Sequence, residues 1–147
     1  MIHHLSIPAQ DTLGVARALV GLLGGRGEIT KFGPYRDSYI AWAGDEHGTA
    51  IEIYPIGTEM FPDAGHGQAN FRHEPRASGF VATHATISVP LDETAVLALA
   101  AQKGWRAIRL SRGSFDVIEF WIENRVMLEV MTAAMTADYL RATRPGR

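Results

Sequence analysis

Cysteine is absent from the 147 residues. Its absence excludes a disulfide framework, a thiolate metal site and a cysteine nucleophile, and makes a reducing cytoplasm the expected location. No apolar run approaches the roughly 18 residues of a membrane-spanning helix. The N-terminal MIHHLSIPAQD lacks the basic start and apolar stretch of a signal peptide, so no membrane association is expected. Charge of one sign is lacking too: 14 Lys and Arg oppose 16 Asp and Glu, and the basic residues are scattered. Nucleic acid, which selects a basic stripe or patch, is therefore not an expected partner, whereas a small-molecule substrate is. Any metal must be held by His, Asp or Glu.

What the chain does contain is a long repeat. IHHLSIPAQD reads as a short alternating strand leading into TLGVARALVGLLGG, a helix stopped by Gly24 or Gly25. Eighty positions on, VATHATISVPLDETAVLALAAQKG gives a strand, a helix N-cap at Asp92 and a stop at Gly104. Each unit is followed by a segment that reads as three strands with Gly, Asp and Asn turns. DSYIAW and DVIEFW align without gaps: Asp37 matches Asp116 and Trp42 matches Trp121, both at an offset of 79 (116 − 37 and 121 − 42). The pattern predicts an α+β fold of two tandem βαβββ modules. The first spans residues 1–57, a linker with room for one helical turn 58–80, the second module 81–133, and a C-terminal helix and tail 134–147.

Within the repeat, two unlike polar residues recur. His4 in TAIEIYP's own module finds its counterpart in His84, and Glu52 of TAIEIYP finds its counterpart in Glu129 of VMLEVM; the His-to-Glu spacing is 48 (52 − 4) and 45 (129 − 84). Strand alternation places His4, Ser6 and Pro8 on one face and His3, Leu5 and Ile7 on the other. With the aliphatic sets packed under the helices, His4, His84, Glu52 and Glu129 share the opposite face, and His3 does not. Two imidazoles and two carboxylates suit a first-row divalent ion by ligand type: Zn, Ni, Co, Mn or Fe. The alternative is that these four residues serve only in cross-strand hydrogen bonds or salt bridges.

From about Ile2 to Thr132, the chain resembles the vicinal oxygen chelate superfamily, which includes glyoxalase I, bleomycin-resistance proteins, fosfomycin-resistance proteins and extradiol dioxygenases. The resemblance implies an eight-stranded, cup-shaped curved sheet with helices on the convex side and a divalent metal ion on the concave face. Carried over position by position, HHLSIPAQD supplies His4, AIEIY supplies Glu52, THATISV supplies His84 and MLEVM supplies Glu129 as metal ligands. The His, Glu, His, Glu pattern is closest to bacterial glyoxalase I. It implies a metal-dependent lyase or isomerase that acts on a small substrate with vicinal oxygens through an enediolate or similar oxyanion. Glu129 is the first candidate for general base and Glu52 the second. Pro8 stands where glyoxalase I has an Arg that helps hold a glutathione carboxylate, which speaks against glutathione. The other readings of the same fold are an Fe(II) dioxygenase and a non-catalytic, drug-sequestering protein. A homodimer is expected, with the cup formed within one chain or by exchange of modules between two.

Alternation further suggests that Trp42, Tyr54, Trp121, Met127 and Met131 line the substrate pocket. Trp in a strand is more often core than ligand platform. His47 reads as a solvated turn residue, His66 and His73 as linker residues that are either mobile surface histidines or able to close over the cup, and Arg106, Arg109 and Arg112 as either anion contacts or solvated strand-edge residues.

Overall fold

The computed structural model describes residues 3–33, 37–61, 64, 68, 70–77, 80 and 84–143. His66 and the tail beyond residue 143 lie outside them. The first module runs β1 (His4–Ala9), α1 (Thr12–Leu22), β2 (Ile29–Phe32), β3 (Ser38–Trp42) and β4 (Ala50–Pro55). The second runs β7 (Ala85–Ser88), α2 (Glu93–Lys103), β8 (Ala107–Ser111), β9 (Asp116–Ile122) and β10 (Val126–Met131), followed by α3 (Ala133–Thr143). Their sheets have the same topology, β1-β4-β3-β2 and β7-β10-β9-β8, with the first and last strands of each module paired in parallel. The two-module α+β expectation is met.

The helices start and stop for local reasons. The Asp11 side chain accepts from Gly14 N at 2.9 Å and that of Asp92 from Ala95 N at 2.8 Å, each satisfying one amide that the first helical turn leaves open. Gly104 ends α2 in the left-handed conformation, at φ 67°. Both helices cover aliphatic sheet faces. Val15, Leu19 and Leu22 of α1 share a core with Ile7, Ile51 and Ile53, and Val96 and Ala100 of α2 share it with Ile118, Phe120 and Ile122. Each large side chain so buried contributes roughly 1.5–3 kcal/mol.

The described part of the linker holds an element that was not expected: β5 (Thr58–Phe61) and β6 (Asn70–His73) form an antiparallel hairpin. Met60 lies opposite Phe71, and Glu59 lies opposite Arg72, paired at 2.7 Å. Four-residue strands are too short for their alternation to stand out in a Gly- and Pro-rich stretch.

α3 meets the end of β7, where Ser88 Oγ and Thr136 Oγ1 are 2.8 Å apart. Beside it, Phe115 meets Tyr139 edge-on. The modules are tied by Glu123, whose carboxylate accepts from Gln10 N at 2.6 Å and Asp11 N at 2.7 Å.

Candidate functional site

The strand registers settle which side chains share a face. In the parallel pair β1–β4, Ser6 is the partner of Glu52; in β7–β10, Thr86 is the partner of Glu129. Both hydroxyls bond the neighbouring carboxylate: Ser6 Oγ donates to Glu52 Oε2 at 2.9 Å, and Thr86 Oγ1 to Glu129 Oε2 at 2.7 Å. His4 and His84 precede these hydroxyls by two positions. His4 Nε2 lies 3.9 Å from Glu52 Oε1. His84 is near enough to Glu129 to lower the carboxyl electrostatically. His3 is turned elsewhere, its Nδ1 2.8 Å from the carbonyl oxygen of His47.

The four candidate ligands thus form two matched His–Glu pairs, one per module. Among the described residues no three His, Asp or Glu side chains come together in a group able to hold a metal ion. By chemistry each pair fits a divalent cation, offering one nitrogen and one carboxylate. As an assembled centre, the described residues of a single chain do not fit one.

The halves differ in charge. Register places Glu119 directly opposite Glu129, where the first module has Ile40 opposite Glu52. Two carboxylates facing each other across neighbouring strands repel, and Arg112 lies between them. Its Nε donates to Glu129 Oε1 at 2.9 Å, and its Nη2 to Glu119 Oε1 at 2.8 Å. Trp121 Nε1 donates to Glu119 Oε2 at 3.1 Å. Burial pushes the Glu129 carboxyl up, but the Thr86 hydroxyl and the Arg112 guanidinium outweigh it and hold the group below the usual carboxylate range. Arg112 likewise lowers Glu119. In the first module, the Tyr54 hydroxyl reaches Glu52 Oε2 at 3.4 Å, and burial together with the Glu52 charge raises the phenol.

The expected lining residues are distributed. Tyr54 lines an open cavity of about 230 Å³ with Ser6, Pro8 and the hairpin residues Thr58, Met60 and Phe71; its ring stacks on Phe71 at 5.8 Å. Met127 and His84 line a second cavity, about 340 Å³, in the seam where β1 runs past β7 and β10. Trp42 donates its indole N–H to Thr30 Oγ1 at the far end of β3. Trp121 is half-buried over Glu119, and Met131 is buried in the core. Of the three arginines, Arg112 joins the site, while Arg109 points to the helix side and binds Asp116 and Glu93. Sequence reasoning left the Glu119–Arg112–Glu129 network unread. Its signal was the pairing of Glu119 with Trp121 on one strand face, seven residues after an arginine.

A repeated βαβββ module, with a hydroxyl-held carboxylate on the last strand of each copy, has the architecture of the vicinal oxygen chelate fold. The comparison with solved structures agrees. The fosfomycin resistance protein FosX from Mesorhizobium loti matches with a TM-score of 0.54 at 12% identity, over 95% of this chain and 96% of that one. FosX from Listeria monocytogenes matches at 0.56 and 10%, over 94% and 97%. The trypanothione-dependent glyoxalase I of Leishmania major matches at 0.53 and 12%, over 97% and 93%. No protein-family model and no curated protein sequence matches the chain. At these identities the likeness shows the fold, and the chain has the vicinal oxygen chelate fold. No helix among the described residues is long and apolar enough to cross a membrane.

Proposed function

We propose that this protein is a metal-dependent enzyme of the glyoxalase type, a lyase or isomerase acting on a small molecule with vicinal oxygens. The observation that carries the proposal is the duplicated arrangement of imidazole, hydroxyl and carboxylate: His4, Ser6 and Glu52 in one module, and His84, Thr86 and Glu129 in the other. A purely structural use of these residues gives no reason for the same trio at the same register twice. His4, Glu52, His84 and Glu129 would hold the ion, which when bound stabilises an oxyanion on the substrate. Since one chain keeps the pairs apart, a second copy supplies the complement, His4 and Glu52 of one copy meeting the other pair from its partner in a homodimer.

The chain's own residues then divide the work. Ser6 and Thr86 fix the carboxylate rotamers, so that each glutamate presents its second oxygen to the site. Glu129 accepts the substrate's carbon-bound proton once it is released from Arg112, which together with the Thr86 hydroxyl lowers its proton affinity. Tyr54 and the hairpin residues Met60 and Phe71 line an apolar pocket beside Ser6, next to the first half-site.

Two measurements test this. Elemental analysis of protein saturated with Mn, Co, Ni or Zn and then desalted should find about one ion per chain. Proton exchange into deuterated water, followed by NMR on a panel of α-hydroxy carbonyl compounds, should appear for the wild type and drop by at least ~10²-fold in Glu129→Gln. Protein that retains no metal under any loading condition rules out the enzyme. It would favour a second reading, a metal-free small-molecule binding protein, which the neutralisation of Glu129 by Arg112 already suits.

A further inference from the structure

We infer that the cavity between β1, β4 and the β5–β6 hairpin is a binding site for a small aromatic amine, taken up as its ammonium cation. The site goes beyond the metal reading and stands without it: it draws on Glu52 Oε2 and the hydroxyls around that oxygen, whereas Oε1 faces His4.

Three observations carry the assignment. First, the hydroxyls on the cavity wall have no proton to offer a ligand. Ser6 Oγ donates to Glu52 Oε2 at 2.9 Å, the Tyr54 hydroxyl reaches the same oxygen at 3.4 Å, and Thr58 Oγ1 donates to the carbonyl oxygen of Pro55 at 2.6 Å. Carboxylates and carbonyls only accept, so each hydroxyl spends its single proton there and is left with lone pairs. Burial and the Glu52 charge raise the Tyr54 phenol, so it keeps the proton it donates. A bound molecule must therefore bring the donors. An ammonium brings three and a carboxylate none.

Second, the field at this wall is negative. Glu52 is bonded to both Ser6 and Tyr54, and among the described residues no Arg or Lys forms an ion pair with it, whereas Arg112 neutralises Glu129 in the other module. The cavity's described lining includes no charged side chain. A cation beside Ser6 is attracted by Glu52, and an anion is repelled.

Third, the rest of the wall is apolar and aromatic. Phe71 stacks on Tyr54 with ring centroids 5.8 Å apart, Phe32 meets Tyr54 edge-on at 5.2 Å, and Pro8 and Met60 extend the surface. Tyr and Phe faces attract a cation within about 6 Å, and a thioether adapts to a neighbouring ring. The volume of about 230 Å³ falls below the ~300–1,000 Å³ of sites for drug-sized ligands, so it suits one ring with a short side chain.

The test is NMR titration of chelator-treated, full-length protein with 2-phenylethylamine, 2-phenylethanol and phenylacetate at neutral pH. The amine should saturate one site and bind at least ~10-fold more tightly than phenylacetate, the scale of one partly desolvated cation contact. Met60→Ala and Phe71→Ala should each weaken the amine and the alcohol alike, by at least ~5-fold, through lost apolar contact. Met60 is 57% exposed, so its truncation leaves the core intact even if Phe71→Ala fails to fold. Leu140→Ala, which removes an exposed apolar side chain of α3, should change nothing. Glu52→Gln should abolish the preference for the amine over the alcohol while the alcohol still binds. Phenylacetate binding as tightly as the amine overturns the proposal, as does a preference that survives Glu52→Gln. Equal weakening by Leu140→Ala and Met60→Ala, or no saturation by any of the three probes, overturns it too. These titrations hold no metal ion, so their failure leaves the metal reading standing, and failure of metal retention leaves the amine site standing.

Discussion

Thr86 and Glu129 are direct partners across a parallel strand pair, and the threonine hydroxyl donates to the carboxylate at 2.7 Å. Ser6 stands in the same relation to Glu52. Parallel pairing of the first and last strands of a βαβββ module puts these residues side by side, so the hydroxyl is a fixed donor rather than a passing one. Thr86→Val keeps the shape and the β-propensity and deletes only the donor. It should cost about 1 kcal/mol in urea unfolding and raise the proton affinity of Glu129, seen as an upward shift in its carboxyl titration by ¹³C NMR. An unmoved Glu129 titration means that Arg112 alone sets its charge.

The separation of the two His–Glu pairs makes a mixing experiment decisive. His4→Ala and His84→Ala should each abolish metal retention. Co-refolded in equal amounts, they should recover about a quarter of the wild-type sites, because half of the dimers are mixed and each mixed dimer has one intact site of two. Absence of recovery, with mixed dimers present by native mass spectrometry, places the site within one chain.

Much of the molecule was legible in the sequence because it is written twice. The 79-residue offset that aligns DSYIAW with DVIEFW gave the modules, and the strand alternation around His4 and Glu52 gave the shared face. What repetition did not contain was not read. The Glu119–Arg112 contact has no counterpart in the first module, where Ile40 sits, so comparison of the halves passed over it. The β5–β6 hairpin also occurs once, in strands too short for their period to emerge from the surrounding Gly and Pro. The placement of α3 over Ser88 depends on tertiary packing that local pattern does not encode.

Acid stability follows from the same network. Arg112 lowers Glu119, and the Thr86 hydroxyl and Arg112 lower Glu129 against the upward push of burial. A carboxyl depressed in the folded state adds stability that is present above its unfolded value and lost as pH falls through its folded one. Stability to urea should therefore hold from neutral pH down to the usual carboxylate range and decline below it. Arg112→Met should be less stable at neutral pH and lose less on acidification, because the two carboxyls then titrate nearer their unfolded values. Parallel pH profiles for the two proteins contradict this assignment.

Glu123 supplies a case in which two effects oppose each other at one residue. It and Asn124 form the β9–β10 turn with φ 51° and 54°, a left-handed pair that costs a residue with a side chain about 1 kcal/mol each. Glu123 tolerates that conformation because its carboxylate accepts both Gln10 N and Asp11 N, fastening the tip of the second module to the β1–α1 corner of the first. Glu123→Ala keeps the backbone cost and loses both acceptors, so it should destabilise by about 1–2 kcal/mol, at the lower end for amides that water can reach. Glu123→Gly loses the same acceptors and relieves the backbone, so it should be the milder of the two by about 1 kcal/mol. Amide exchange at Gln10 and Asp11 should accelerate equally in both variants, since the acceptor is gone in each. If Glu123→Gly proves as damaging as Glu123→Ala, the turn carries no strain for glycine to relieve. If exchange at these two amides does not change in either variant, the modules are held together by the shared core alone and not by this clamp.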